Sequence, residues 1–215
     1  MKIKWIGHSC FLIIAKSGLK IITDPYSPGG GVQYEPITDS ADIVTVSHEH
    51  HDHNAVSEVK GNPRIVKGPG EYLIEGITIS GLACYHDDTS GEQRGDNTIF
   101  CFTLDEVRIC HLGDLGHKLS PEQLKEIGDV DVLFIPVGGY FTIDAKVAIE
   151  VCNDLAPGIV IPMHYKTPKL AFPVVGVDDF LKGKANVKMV DSSEIDVEKG
   201  QLPGSTEIIV LQPAA

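Results

Sequence analysis

The chain has 215 residues, 42% of them hydrophobic, and a formal net charge of -12 at pH 7. This length is enough for one large core and no shift in composition marks a boundary, so we expect a single domain over residues 1–215. The acidic surface disfavours a nucleic-acid partner, because it repels phosphate backbones. The apolar stretches are too short to span a bilayer, and residues 1–5 lead directly into a strand rather than into the apolar region of a signal peptide. We therefore expect a cytoplasmic protein that does not contact membranes.

The first half of the chain is predicted to consist of strands separated by Gly, Pro, Asp or Asn. They cover residues 2–6, 11–15, 20–23, 42–46, 64–66, 72–74, 77–84, 97–104 and 107–111. Short turns, as at 17–18 and 75–76, predict antiparallel pairing of successive strands. Two segments, 25–36 with three consecutive glycines and the polar stretch 87–96, are expected to be irregular, either as surface loops or as lids over a site.

The second half mixes helices with strands. Ser120 and the proline after it predict a helix with an N-cap serine and proline at the first helical position. Further helices are predicted near 144–155 and 177–181, and strands at 132–137, 158–162, 187–190 and 207–211. Two sheets packed face to face with helices outside would bury both patterns.

Five cysteines are spread through apolar segments: Cys10, Cys84, Cys101, Cys110 and Cys152. An odd number without C-x-x-C spacing argues against a disulfide framework. We therefore expect reduced thiols that serve as small core residues.

The segment 47–53 carries three imidazoles and a carboxylate in the pattern His-x-His-x-Asp-His. It follows a short β-branched run that reads as a buried strand, so the cluster lies where a strand ends. Alternate residues of an extended segment point the same way, so His48 and His50 are placed to bind one metal ion, and the turn that follows brings Asp52 and His53 to a second. The alternative is a histidine-rich surface loop.

Three further candidate ligands follow predicted strands: His86, Asp114 and His164. A single buried histidine on an apolar strand is usually a hydrogen-bonded core residue. The shared position of these three residues at strand ends favours a common metal site instead.

Seven short motifs resemble those of the metallo-β-lactamase-fold hydrolases, and more narrowly those of the subgroup that contains the ascorbate-6-phosphate lactonases. The motifs are Gly7-His8-Ser9, Thr23-Asp24-Pro25, the cluster 48–53, Tyr85-His86-Asp87, Leu112-Gly113-Asp114, Ile135-Pro136-Val137-Gly138 and Pro162-Met163-His164-Tyr165. The histidine cluster and the ordered His86, Asp114 and His164 are specific for the superfamily, and the remaining motifs are less specific.

The resemblance implies an α+β chain with the metallo-β-lactamase fold, a four-layer αβ/βα sandwich of two mixed β-sheets with outer helices. It also implies a division of ligands between two ions. One ion is expected to be held by His48, His50 and His86, and the other by Asp52, His53 and His164. Asp114 would bridge the two ions, and Asp24 would lie behind the cluster as a hydrogen-bond acceptor that fixes a loop or an imidazole.

This donor set suits two divalent ions, zinc or manganese with iron as a further choice, because it contains no thiolate. Two ions about 3.5–4 Å apart make a bound water acidic enough to supply hydroxide near neutral pH. Asp52 is expected to bind metal and to orient that nucleophile. His8 and His117 are candidates for protonating the leaving group or contacting the substrate, and Lys166 is expected to add positive charge to the pocket.

A centre of two metal ions is compatible with several classes of substrate. We expect hydrolysis of a small ester, lactone or phosphate-bearing metabolite, and an anionic small molecule as partner. A phosphodiesterase that acts on cyclic nucleotides or nucleic acid is the alternative enzyme, and a non-catalytic metal-binding protein is the alternative of another class. The sequence is compatible with a homo-oligomer.

Overall fold

A computed structural model describes residues 1–214, and its regular elements are fourteen strands and three α-helices. The strands are β1 (Lys2–Gly7), β2 (Cys10–Ile14), β3 (Lys20–Thr23), β4 (Ile43–Val46), β5 (Arg64–Lys67), β6 (Gly70–Ile74), β7 (Ile77–Tyr85), β8 (Asp96–Leu104), β9 (Val107–His111), β10 (Val132–Pro136), β11 (Ile159–Met163), β12 (Val187–Met189), β13 (Glu194–Asp196) and β14 (Glu207–Val210). The helices are α1 (Pro121–Ile127), α2 (Ala145–Leu155) and α3 (Asp178–Leu181), with 3-10 turns at Val56–Glu58 and Lys199–Gln201.

The strands form two mixed sheets, which confirms the predicted class of fold. The first sheet has the order β13-β1-β2-β3-β4-β5 and the second the order β12-β14-β11-β10-β9-β8-β7-β6. Antiparallel pairing is confirmed for β1 to β3 and for β6 to β9, but β3, β4 and β5 are parallel neighbours. The expectation of hairpins throughout the first half was wrong there, because residues 24–42 and residues 47–63 each return the chain to the opposite end of the sheet before the next strand begins.

Alternation along the strands explains how the sheets pack. In β1 the side chains of Ile3 and Trp5 are buried, whereas the lysines beside them are partly exposed. Phe11 from β2 stacks on Phe134 from β10 across the interface, with ring centroids 4.1 Å apart. Such an aromatic pair adds about 0.5–1.5 kcal/mol beyond the area it buries. The main core therefore lies between the two sheets.

The outer layers of the two sheets differ. Helices α2 and α3 contribute Val151, Leu155 and Phe180 to the main core beside the strands of the second sheet. The outer face of the first sheet is covered by a second apolar cluster, to which the irregular segment after β3 contributes Tyr26 and Tyr34. That segment was predicted as a loop or a lid, and it serves as a packing layer.

The predicted start of α1 is confirmed by a reciprocal pair of hydrogen bonds. The Gln123 amide donates to Ser120 Oγ at 3.2 Å, and the Ser120 amide donates to Gln123 Oε1 at 3.0 Å. This capping box satisfies two backbone N–H groups at the helix end and stabilises the helix by about 1 kcal/mol.

All five cysteines are buried and free within the described chain, as expected for core thiols. The longest helix, α2, has 11 residues, and no helix within residues 1–214 is long and apolar enough to cross a membrane.

Candidate metal centre

The strands place the predicted site residues at one edge of the sandwich. In the first sheet β1, β3 and β4 run in the same direction and are followed at once by His8, Asp24 and the cluster 47–53. In the second sheet β7, β9 and β11 are also parallel to one another, and they are followed by His86, residues 112–114 and His164. The chain leaves three of these strands through a left-handed residue, with φ of 53° at His8, 38° at Asp24 and 50° at His164. Left-handed non-glycine residues are uncommon, and they cluster at functional sites.

The carboxylate of Asp114 lies at the centre of the cluster. Its Oδ2 atom is 3.2 Å from Nε2 of His86 and of His164. The Nε2 atoms of His53 and His48 are 3.3 and 3.9 Å from the same oxygen. One buried carboxylate oxygen therefore faces four imidazole nitrogens from both sheets.

The potential ligand atoms fall into three overlapping groups. One consists of His48, His50 and His86, a second of His8, Asp52, His53 and His164, and a third of Asp24, His48 and His53. Within each group the candidate atoms lie within 4.8 Å of one another. The first group contains the residues that the resemblance assigns to one ion, and the second contains those that it assigns to the other ion together with His8.

Several of these buried atoms lack hydrogen-bond partners, as expected of atoms that bind metal ions. The Nε2 atoms of His48 and His53 and the Oδ1 atom of Asp114 are buried without a hydrogen-bond partner within residues 1–214. Leaving a buried polar atom unsatisfied costs about 1–3 kcal/mol, so several of them in one place require an explanation. Divalent ions coordinated by imidazole nitrogens and carboxylate oxygens would satisfy them.

Asp24 and Ser47 determine which imidazole nitrogens face the centre. The Ser47 hydroxyl donates to Asp24 Oδ2 at 2.6 Å, and its oxygen lies 2.8 Å from His48 Nδ1. Since the one hydroxyl hydrogen is engaged by Asp24, the Ser47 oxygen accepts from His48 Nδ1–H. His53 Nδ1 is 2.9 Å from the same Asp24 oxygen. Both imidazoles therefore carry a proton on Nδ1, and Nε2 is the nitrogen that faces the centre.

Two residues that support the centre, Ser47 and Asn97, were not predicted from the sequence. Ser47 also donates its backbone N–H to Asp24 Oδ1 at 2.7 Å. Asn97, at the start of β8, accepts from the Asp114 backbone N–H at 3.0 Å and donates to the Leu112 carbonyl at 2.9 Å. The only signal for Ser47 was its place before the cluster, and Asn97 is 17 residues from the residue it holds.

The electrostatics of the metal-free centre are those of a charged cluster. Burial opposes ionisation of Asp114, but the imidazoles of His164, His53 and His86 outweigh it and hold the pKa of this carboxyl well below its usual range. Burial would also lower the pKa of His53, yet Asp114 and Asp52 raise it well above the ordinary value. Burial and the neighbouring His53 lower the pKa of His48 to about 3. A metal requires carboxylates and neutral imidazoles as ligands, so an ion that binds here displaces the second proton of His53.

The structure places His8 and His117 differently from what we expected of proton donors. His8 is 1% exposed, and its Nε2 lies 3.2 Å from Asp52 Oδ2. Burial and the neighbouring His164 lower its pKa to about 4, so the ring is neutral at pH 7 and donates Nε2–H to Asp52. His117 is not brought to the centre: its Nε2 accepts from the Tyr85 N–H at 3.2 Å and its Nδ1 donates to the Lys118 carbonyl at 2.8 Å.

A cavity of about 340 Å³ opens onto the centre. Exposed His50 and His51 line it together with the buried ligand candidates, and the rest of its wall includes Arg94, Phe141 and Phe172. Lys166 was expected to supply positive charge here, but its amine donates to the Phe172 carbonyl at 2.9 Å and the residue does not line the cavity. Arg94 supplies the cation instead.

Comparison with known proteins agrees with this fold and site. The family described as "Beta-lactamase superfamily domain" matches residues 2–164. The chain belongs to this superfamily. Within it, the protein is a metal-dependent hydrolase, as are the UPF0173 relatives of that name and the solved structure with the same fold that is 40% identical to it.

Two relatives and one solved structure show how far the similarity extends. A UPF0173 protein of Pyrococcus abyssi is 32% identical over 78% of this chain and 84% of its own length. A UPF0173 metal-dependent hydrolase of Carboxydothermus hydrogenoformans is 30% identical over 83% of this chain and 88% of its own. The crystal structure of a candidate zinc-dependent hydrolase of the metallo-β-lactamase superfamily from Thermotoga maritima is 40% identical, covers 98% of this chain and 97% of that one, and superposes with a TM-score of 0.81. The narrower resemblance to the ascorbate-6-phosphate lactonases stays a prediction.

Proposed function

We propose that the enzyme hydrolyses a small anionic ester, lactone or phosphate-bearing metabolite at a centre for two divalent ions, zinc or manganese. The observation that supports this proposal best is the position of Asp114, whose single oxygen lies 3.2–3.9 Å from four imidazole nitrogens that come from both sheets. A carboxylate between two groups of ligands is the arrangement expected of a bridging residue.

In this proposal His48, His50 and His86 hold one ion, Asp52, His53 and His164 hold the other, and Asp114 bridges them. Imidazole and carboxylate ligands suit zinc, manganese or iron. When bound, two such ions supply Lewis-acid polarisation of the scissile group and a nucleophilic water at neutral pH.

The surrounding residues prepare the ligands for that role. Asp24 and Ser47 keep the Nε2 atoms of His48 and His53 directed at the centre through hydrogen bonds of 2.6–2.9 Å. His8 donates to Asp52 Oδ2 at 3.2 Å and so fixes the orientation of that carboxylate. His8 therefore serves in this mechanism as a positioning residue rather than as the acid that protonates a leaving group.

The shape and charge of the protein favour compact substrates. A cavity of about 340 Å³ lies at the small end of the range for small-molecule sites, about 300–1,000 Å³. A net charge of -12 repels an extended polyanion, whereas two divalent ions attract one anionic group locally. A small anionic metabolite fits both conditions better than RNA or DNA.

Substrate screening of metal-reconstituted protein tests the proposal. The panel contains lactones, aryl esters, bis-p-nitrophenyl phosphate, a cyclic nucleotide and a structured RNA, and metal content is measured on protein purified without chelator. We expect turnover of a lactone or ester that is lost in His86→Ala and retained in the matched control His117→Ala, whose ring nitrogens bond only to backbone atoms. Cleavage of the phosphodiesters alone would favour the phosphodiesterase alternative. Metal binding without any turnover would favour a non-catalytic metal-binding protein.

A further inference from the structure

The loop that follows His86 is held in one shape by a single carboxylate. Asp87 Oδ1 accepts from the backbone N–H and hydroxyl of Thr89 and from the Gly91 N–H, at 2.8–2.9 Å. Its Oδ2 accepts from the backbone N–H groups of Gln93 and Arg94, at 3.0 and 2.7 Å. Asp87 is buried, with only 2% of the residue exposed. Desolvation raises the pKa of its carboxyl, but the donors from Arg94, Thr89 and Gly91 outweigh it and hold the pKa below the ordinary value. The loop is therefore a rigid support attached directly to a candidate metal ligand.

This loop carries Arg94 to the wall of the cavity above the centre. Arg94 lines the same cavity as His50, Asp114 and His164. Its Nη2 donates to the Tyr140 carbonyl at 3.1 Å, and its guanidinium carbon lies 5.8 Å from the centroid of the Phe141 ring. Contacts of this kind keep the planar group in place at the wall of the cavity.

The charge of Arg94 is not neutralised by the protein. No carboxylate lies within 4.0 Å of its side chain among the described residues, whereas the neighbouring Lys67 is paired with Glu49 at 2.9 Å. The one side-chain hydrogen bond to Tyr140 uses one of the five N–H groups that a guanidinium offers, which leaves donors for a ligand.

We propose that Arg94 forms an anion subsite of the cavity, which binds a carboxylate or phosphate group on the substrate beside the bond that is cleaved. The proposal rests on the proposed hydrolase function. A guanidinium matches both anions because it can donate two parallel hydrogen bonds to two oxygens. Its fixed attachment through Asp87 and Phe141 means that little side-chain entropy is lost when the anion binds. The preference for anionic substrates would then come from Arg94 as well as from the ions.

Anion binding to the metal-loaded protein tests this directly, without turnover. Isothermal calorimetry with benzoate, phenylphosphonate and neutral benzamide is carried out on wild type, Arg94→Gln, Arg94→Lys and the control Arg64→Gln, which changes an exposed arginine at the other end of the first sheet. We expect Arg94→Gln to weaken binding of at least one anion by about 10-fold or more, Arg94→Lys to restore part of it, and benzamide to be unaffected. The anion with the larger loss identifies the substrate group as carboxylate or phosphate. Unchanged affinity of Arg94→Gln for both anions would overturn the proposal. An equal loss of affinity for benzamide would also overturn it, because Arg94 would then only hold two loops together.

Hydrolysis of a matched ester pair separates this inference from the function it rests on. Phenyl acetate and 4-carboxyphenyl acetate share the scissile bond and differ in one carboxylate. We expect Arg94→Gln to raise KM for the carboxylate-bearing ester and to change KM for phenyl acetate by no more than about twofold. The reason is that the substitution removes binding energy only from the charged group. If wild type hydrolyses neither ester, the proposed esterase activity loses support, and the calorimetric comparison still decides the role of Arg94.

Discussion

The carboxylate of Asp24 and the imidazole of His53 form a fully buried pair, with His53 Nδ1 2.9 Å from Asp24 Oδ2. The same oxygen accepts from the Ser47 hydroxyl, which in turn bonds to His48 Nδ1. One carboxylate at the end of β3 thus fixes the tautomers of two histidines that belong to different ligand groups. Metal ligands are commonly oriented by such outer hydrogen bonds, and their loss costs about 10–100-fold in metal affinity or activity.

Substitution of the two buried aspartates is expected to separate these roles. Asp24→Asn removes an acceptor, because the amide nitrogen cannot accept from His53 and Ser47, and we expect metal affinity and activity to fall by about 10–100-fold. Asp114→Asn removes the charge that faces both groups of ligands, so the loss should be larger. Metal content after dialysis, measured by elemental analysis, checks the order. Equal losses, or a larger loss for Asp24→Asn, would contradict the assignment of Asp114 as the bridge.

Gly116 is expected to be intolerant of even one added carbon. A Cβ at this position would collide with the backbone of His86 and Asp87, which cannot move without displacing a candidate ligand. We expect Gly116→Ala to lower the melting temperature and the metal content together. Gly204→Ala is the matched control, since nothing in the described chain lies within 4 Å of its added Cβ. Full metal content in a folded Gly116→Ala protein would show that the His86 loop adapts.

The neutral state of buried His8 gives the metal-free protein a defined response to acid. Its pKa is lowered to about 4 in the folded protein, from 6.5, mainly by burial. Between these values the unfolded chain binds the proton and the folded chain does not, so stability is lost as pH falls from 6.5 toward 4. From pH 6.5 to 4.5 the loss through this residue amounts to about 2 kcal/mol.

Urea unfolding of metal-free wild type and of His8→Gln at the two pH values measures this effect. The glutamine does not titrate and keeps a donor for Asp52. The contributions of the other titrating groups to the pH dependence of the free energy of unfolding therefore cancel between the two proteins. We expect the free energy of unfolding of the variant to fall by less than that of wild type. An equal fall in both proteins would show that His8 is not held neutral.

The positions of most site residues could be predicted because local pattern determines them. A β-branched run ends at Val46, and the histidines that follow are obliged to project from the end of that strand. The same reasoning applied to His86, Asp114 and His164, each of which follows an apolar strand. Parallel alignment of those strands then brings the residues to one edge.

The parts that were missed depend on contacts between distant segments. The position of Arg94 depends on the five hydrogen bonds of Asp87, and no local pattern indicates that Lys166, two residues after His164, turns to the Phe172 carbonyl. His117 was favoured because it lies three residues after Asp114, yet the chain turns it toward Tyr85. The short strand β13 was not predicted, since three residues at a sheet edge carry too little periodic pattern.

Removal of metal is expected to destabilise the protein, because the ions bind the folded chain at ligands that the unfolded chain does not hold together. At a free metal concentration of 100 times Kd, one site adds about 2.7 kcal/mol to the free energy of unfolding. For a chain of this size that corresponds to a shift in melting temperature of about 5–10 °C. Differential scanning calorimetry with and without a chelator measures the shift, and re-addition of zinc or manganese should reverse it. His86→Ala lacks a ligand of one group, so we expect its shift to be smaller, whereas His117→Ala should behave as wild type. A melting temperature that stays constant after elemental analysis has shown complete metal removal would contradict a centre built from the buried, unpaired atoms of His48, His53 and Asp114.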